Sequence, residues 1–243
     1  MKVTGYSERG VLNSLLYEIA YASQAEHLLA DLLATAHFPH QGGLRLTISE
    51  SEVLVEQSLS DFGDADAILL LRTLNGPMAV FVEAKVRPSQ ARPWLIDQEF
   101  EEFWKGTQGK VDSSNLFTQT YHKVRFTNAL WRGMSEVEEG VPFPKSSSKS
   151  RRKIGNNPVV LKAAKKIAEY LEDAYFLALV PEDAGPVSDF FERVLPLRKP
   201  EDYEEWNTAW YGHLSWHEVK GFCTQHALTH TLDVLEFNCG QIY

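Results

Sequence analysis

The stretch Asp64-Ala-Asp-Ala-Ile-Leu-Leu-Leu-Arg-Thr-Leu-Asn-Gly-Pro-Met-Ala-Val-Phe-Val-Glu-Ala-Lys85 decides the fold. Asn-Gly between β-favouring runs marks a tight hairpin, because both residues tolerate the positive φ that such a turn needs. Strands are therefore expected at 66–73 and 78–86, antiparallel. A turn centred on Asn75-Gly76 pairs Leu74 with Pro77 and, counting outward, Leu70 with Phe81, Ile68 with Glu83 and Asp66 with Lys85. Side chains alternate faces with period two, so Asp66, Glu83 and Lys85 share one face at one end of the ribbon. Asp64 has the same parity. Pro77 falls at a strand's first residue, where a missing N–H does least harm.

Charge dictates what such a cluster is for. Neighbouring carboxylates raise one another's pKa unless a cation sits between them, and hard oxygen ligands suit Mg²⁺ or Mn²⁺, completed by water and substrate phosphate. Asp66 and Glu83 are the expected ligands. Lys85, two residues on, is placed to orient an attacking water or to stabilise charge developing on a phosphorane. The plainer interpretation makes all three polar residues on the wet face of a sheet. Against it stands a ribbon apolar on both faces, hence buried on both, in which charges need a reason.

Asp66, a short apolar strand, a turn, then apolar-Glu83-Ala84-Lys85 resembles the signature of the PD-(D/E)XK nuclease superfamily, the restriction-endonuclease-like fold. The resemblance implies an α/β protein with an α-β-β-β-α-β core around a mixed central sheet, divalent-metal catalysis and phosphodiester hydrolysis. It also implies an acidic ligand from the first core helix, for which Glu8 is preferred over Glu18, and a Gln beside the site on the helix after the Glu-x-Lys strand, here Gln119. The residue before the Asp is Ala65 rather than Pro, which leaves Asp64 as an alternative ligand.

The flanks supply the core's other parts. Ser7 can cap a helix carrying Leu12, Leu15, Leu16 and Ile19 at helical spacing. Leu28, Leu29, Leu32 and Leu33 make a second. Strand material fills 43–58, helical patterns cover 94–106 and 113–131, a helix spans 158–172, and Ala174–Val180 is a short buried strand. The chain is expected to be one domain, 1–243, with its core at about 7–181, a basic loop at 142–157 and a C-terminal extension at 182–243.

Composition is that of a globular protein, with 44% hydrophobic residues, and no apolar run reaches membrane-spanning length. The first residues lack a signal peptide's apolar segment, and two cysteines form no disulfide framework, so a cytoplasmic protein is expected. A net charge of −9 argues against general coating of nucleic acid. Yet Pro142–Lys166 holds eight basic residues and no acidic one. Lys149, Arg151, Arg152 and Lys153 there, with Lys123 and Arg125 on the preceding helix, are the expected phosphate contacts. Cys223, His226, His230 and Cys239, with His213 and His217, have a zinc-like composition but lack paired Cys-x2-Cys geometry.

The expected function is a Mg²⁺- or Mn²⁺-dependent nuclease acting on DNA. The alternative is a non-catalytic nucleic-acid- or protein-binding module on the same fold. One site makes one nick, so double-strand cleavage would call for a homodimer, two encounters or a larger defence or repair complex.

Overall fold

The computed structural model describes residues 4–39, 43–87, 93–106, 114–142, 151–181, 183–197 and 210–242. In chain order, helices α1 (Ser7–Ala20) and α2 (Ala25–Thr35) precede strands β1 (Ile48–Ser58), β2 (Asp64–Thr73) and β3 (Gly76–Ala84). Helices α3 (Ile96–Gly106), α4 (Leu116–Arg132) and α5 (Met134–Glu139) follow, then a two-stranded ribbon, β4 (Val141–Pro142) and β5 (Arg151–Arg152). The chain closes with α6 (Pro158–Ala168), β6 (Asp173–Val180), α7 (Ala184–Asp189), β7 (Tyr211–Ser215), α8 (Trp216–Gln225), α9 (Thr229–Phe237) and α10 (Cys239–Ile242).

Five strands form one mixed sheet in the order β1-β2-β3-β6-β7. β1, β2 and β3 are antiparallel neighbours, whereas β3-β6 and β6-β7 are parallel. The period-two pattern sorts the side chains between two cores. Ile68, Leu70, Ala79, Phe81, Phe176 and Ala178 pack with α3, α4 and α6. Their alternates Leu69, Leu71, Val80, Val82, Leu177 and Leu179 pack with α1, α2, α8 and α9. Helices thus cover both faces, and the apolar runs of β2 and β3 are buried on both, as their composition requires.

The hairpin register departs from expectation by two residues. Thr73 pairs with Gly76, which puts Ile68 opposite Phe81 and leaves Leu74-Asn75 as the loop. The cause is local: the Thr73 hydroxyl accepts from the Asn75 N–H at 3.1 Å and donates to the Gly76 carbonyl at 2.9 Å. A side-chain turn of this kind competes with the backbone turn. Gly76 takes the positive φ, 123°. A slip of two keeps parity, so every side chain stays on its expected face.

Two boundaries also move. Ser7 lies inside α1 at φ 63° and makes no side-chain cap; its N–H donates instead to Asn238 Oδ1 at 3.1 Å. Residues 210–242 are no appendage, since β7 completes the sheet and α8 and α9 supply Trp216, Val219, Phe222, Val234 and Leu235 to the core. Among the described residues no helix is long and apolar enough to cross a membrane.

Candidate functional site

With the observed register carried one rung beyond Ala67-Val82, Asp66 meets Glu83 rather than Lys85. Both are buried, at 7% and 3% exposure. Asp66 Oδ2 accepts the Ala84 N–H at 2.8 Å, and Oδ1 lies 3.5 Å from Arg9 Nε of α1. Arg9 also faces Glu56 at 3.6 Å, and the Asn13 amide donates to that glutamate at 2.8 Å. Lys85 is pinned through its backbone: its N–H donates to the Leu179 carbonyl at 2.8 Å, and its own carbonyl accepts from the Trp216 indole at 2.8 Å. The Lys85 side chain, half-buried, donates to Gln119 Oε1.

Helix α4 is what completes the site. Asn115 caps it, accepting from the Phe117 and Thr118 N–H groups. Residues i and i+4 on a helix lie about 6 Å apart along its axis, and residues i and i+2 on a strand about 6.6 Å. The matched spacing lets Gln119 meet Lys85 while Lys123 meets Glu83, with helix and strand running in opposite directions.

Lys123 Nζ stands 2.7 Å from Glu83 Oε1 and donates to the Asp64 carbonyl at 2.7 Å. It is fully buried, which corrects its expected role as a phosphate contact. Burial pushes the Glu83 carboxyl above its ordinary range, Lys123 opposes that, and Asp66 adds to it. Glu83 Oε2 meets no donor among the described residues. An orphaned, buried carboxylate oxygen beside a second carboxylate fits a hard cation. The fit is partial, because among the described residues no third His, Cys, Asp or Glu joins the pair.

The structure does not bring Glu8 to this pair as a third acid. Glu18 is engaged elsewhere, accepting from the His230 and Thr231 N–H groups at 3.1 and 2.7 Å at the start of α9. Asp64 offers its carbonyl to Lys123, while its residue is exposed. Two neighbours escaped the sequence pattern. One is Arg9, whose position beside Glu8 and one turn before Asn13 gave no charge signature. The other is Glu99, whose carboxylate accepts the Leu116 N–H at 2.9 Å and whose carbonyl accepts from the Asn115 side chain at 2.6 Å. Burial raises the Glu99 pKa, opposed by that hydrogen bond and by Lys85. Glu99 therefore ties α3 to the start of α4. Four acids fall between Asp97 and Glu102, and only tertiary docking singles this one out.

The basic residues divide. Arg125 donates to the Pro142 carbonyl at 2.6 Å and to the Tyr121 hydroxyl at 3.3 Å, Arg151 to the Gly140 carbonyl at 2.9 Å, and Arg152 to the Asp61 carbonyl. These guanidiniums hold the small ribbon in place. Lys153, Lys162 and Lys165 are exposed, and Lys149 lies outside the described residues.

The zinc-like histidines and cysteines do not assemble. Cys223 is buried, which pushes its thiol up to about 12, and Cys239 is exposed. His213 lies on β7, stacked on His37 at 5.1 Å between ring centres, with Nε2 3.0 Å from the Ser188 hydroxyl. Burial lowers the His213 pKa from 6.5 to about 4, the nearby His37 adding and Glu218 opposing. The unfolded chain takes this proton first, so the stability it contributes is whole above pH 6.5 and is lost as pH falls towards 4. The slope is at most about 1.4 kcal/mol per pH unit. Urea unfolding across that window should show His213→Asn with a flatter pH dependence than wild type; equal slopes would remove His213 as the cause.

Compared with known proteins, the chain matches no family model, no curated protein and no solved structure.

Proposed function

We propose that this chain is a metal-dependent nuclease of the restriction-endonuclease-like type, hydrolysing phosphodiester bonds in DNA. The observation that carries the reading is the meeting of Asp66, Glu83, Lys85 and Gln119 at one end of β3, on the face covered by α4. The order α1, β1, β2, β3, α4, β6 agrees with an α-β-β-β-α-β core. Asp66 and the open oxygen of Glu83 would hold Mg²⁺ or Mn²⁺. Such a cation acidifies a bound water and neutralises charge on the scissile phosphate.

The chain's own residues do the rest. Gln119 fixes the Lys85 ammonium, which then faces charge building on the phosphate oxygens without having to reorganise. Arg9, partly exposed and 3.5 Å from Asp66, is positioned to take a phosphate oxygen at the mouth of the site. Exposed Lys153, Lys162 and Lys165 would add salt-sensitive, sequence-independent attraction for the DNA backbone.

Isothermal titration of Mn²⁺ tests the reading, with wild type compared against an Asp66→Asn/Glu83→Gln variant and an oligonucleotide duplex present throughout. Heat and strand cleavage are expected from wild type alone, with equal circular dichroism from both proteins. A wild type that neither binds the metal nor cuts would overturn the proposal. A second reading, a DNA-binding module without catalysis, draws support from the Lys123-Glu83 and Arg9-Asp66 contacts, which balance the carboxylates with the chain's own cations. It predicts salt-sensitive binding indifferent to metal.

A further inference from the structure

A cleft of about 300 Å³ opens at the other end of the sheet, beside the β2–β3 turn. Its floor is apolar, from Phe176 on β6 and Leu171 just before that strand. Trp131, on the last turn of α4, and Trp210, just before β7, contribute indoles to the lining. Glu172 and Asp173 stand at the rim, both exposed. Neither forms an ion pair with another described residue, and none of the described lining residues is basic. Asp173 pairs with Met78 as Ala178 pairs with Glu83. Five residues of strand, about 16 Å, therefore separate this cleft from the carboxylate site.

Three features select one kind of ligand. A pocket of this size suits a small molecule rather than a polymer. Trp131 leaves 74% of its surface exposed, a large apolar area for a lone indole to hold in water. Indole faces attract cations, most strongly where the cation is poorly hydrated and can lie flat. The two rim carboxylates add attraction of the same sign, and among the described lining residues no lysine or arginine opposes them. An anion would meet two like charges, and a neutral aromatic would forgo both the cation–π contact and the rim. We infer that this cleft binds a flat organic cation, an amidinium or guanidinium carried on an apolar body, independently of whatever the Asp66-Glu83 pair does.

Benzamidine and benzamide share shape and differ in charge, so they form the test. Tryptophan fluorescence and isothermal titration should show benzamidine binding at least about tenfold more tightly than benzamide, the ratio that about 1.4 kcal/mol shared between the indole contact and the rim carboxylates would produce. Trp131→Ala should abolish the binding. Its side chain is mostly in water, so the fold should persist. Glu172→Gln/Asp173→Asn should reduce the benzamidine preference to a few-fold, and Asp66→Asn should leave it unchanged. Equal affinity for the two compounds, no binding of benzamidine at millimolar concentration, or benzamidine binding untouched by Trp131→Ala would each overturn the inference.

Discussion

Lys123→Met is expected to destabilise the fold by about 3–5 kcal/mol, the largest effect of any single lysine substitution here. Removing the ammonium leaves the Glu83 carboxylate 3% exposed and without its 2.7 Å partner, and it also orphans the Asp64 carbonyl. The cost comes from the abandoned charge rather than from the lost attraction, which desolvation of both ions largely cancels. A Lys123→Met/Glu83→Gln double variant should therefore regain most of the loss. In the single variant the Glu83 pKa should rise further, since Lys85 alone is then left to oppose the rise that burial and Asp66 impose. Urea unfolding of the four proteins in this cycle measures the coupling directly. Lys162→Met, on an exposed position of α6, should change stability by less than about 0.5 kcal/mol and serves as the control. If Lys123→Met proved as mild as Lys162→Met, the buried ion pair would not be what holds α4 against β3.

On the proposed nuclease reading, Lys85→Ala is expected to lower the cleavage rate by about 10²–10³-fold, the usual cost of losing one preorganised donor to developing charge. Stability should change little, because the Lys85 side chain is half-buried, whereas its anchors to Leu179 and Trp216 run through the backbone and survive truncation. Duplex affinity should persist, since the exposed lysines around α6 are untouched. The combination distinguishes a group acting on the reaction from one holding the fold. Gln119→Ala should give a smaller loss in rate, about tenfold, because it loosens the ammonium without removing it. Undiminished cleavage by Lys85→Ala would end the assignment of this lysine to the reaction.

The faces of the hairpin were legible because they depend on parity, and parity survives a slip of two residues. The register itself was not, because a threonine hydroxyl outbid the Asn-Gly dipeptide for control of the loop. Asp66, Glu83 and Lys85 could be grouped from one ribbon. Gln119 came from a resemblance, and the structure gives it a contact, the Lys85 ammonium. The partnership of Lys123 with Glu83 and the placement of Arg9 and Glu99 depend on how α4, α1 and α3 dock, which no local spacing encodes. An internal lysine on an amphipathic helix looks like any other until its burial is known. Tyr211–Ser215 was hidden too: a five-residue strand with Gly212 and His213 carries little β signal. There, Gly212 is required by tight packing, since a Cβ would fall 2.5 Å from the Phe38 ring. By contrast, Ser215 and Glu218 form a reciprocal capping box that opens α8.

The bond from the Trp216 indole to the Lys85 carbonyl reaches across 131 positions of sequence to grip the chain where it leaves β3. Modularity is the casualty. A chain trimmed near residue 181 would keep every residue assigned to the site yet lose the clamp behind it, along with the strand and helices that shelter one face of the sheet. The site is thus a property of the whole polypeptide, and grafting it onto another scaffold means carrying both ends of that clamp.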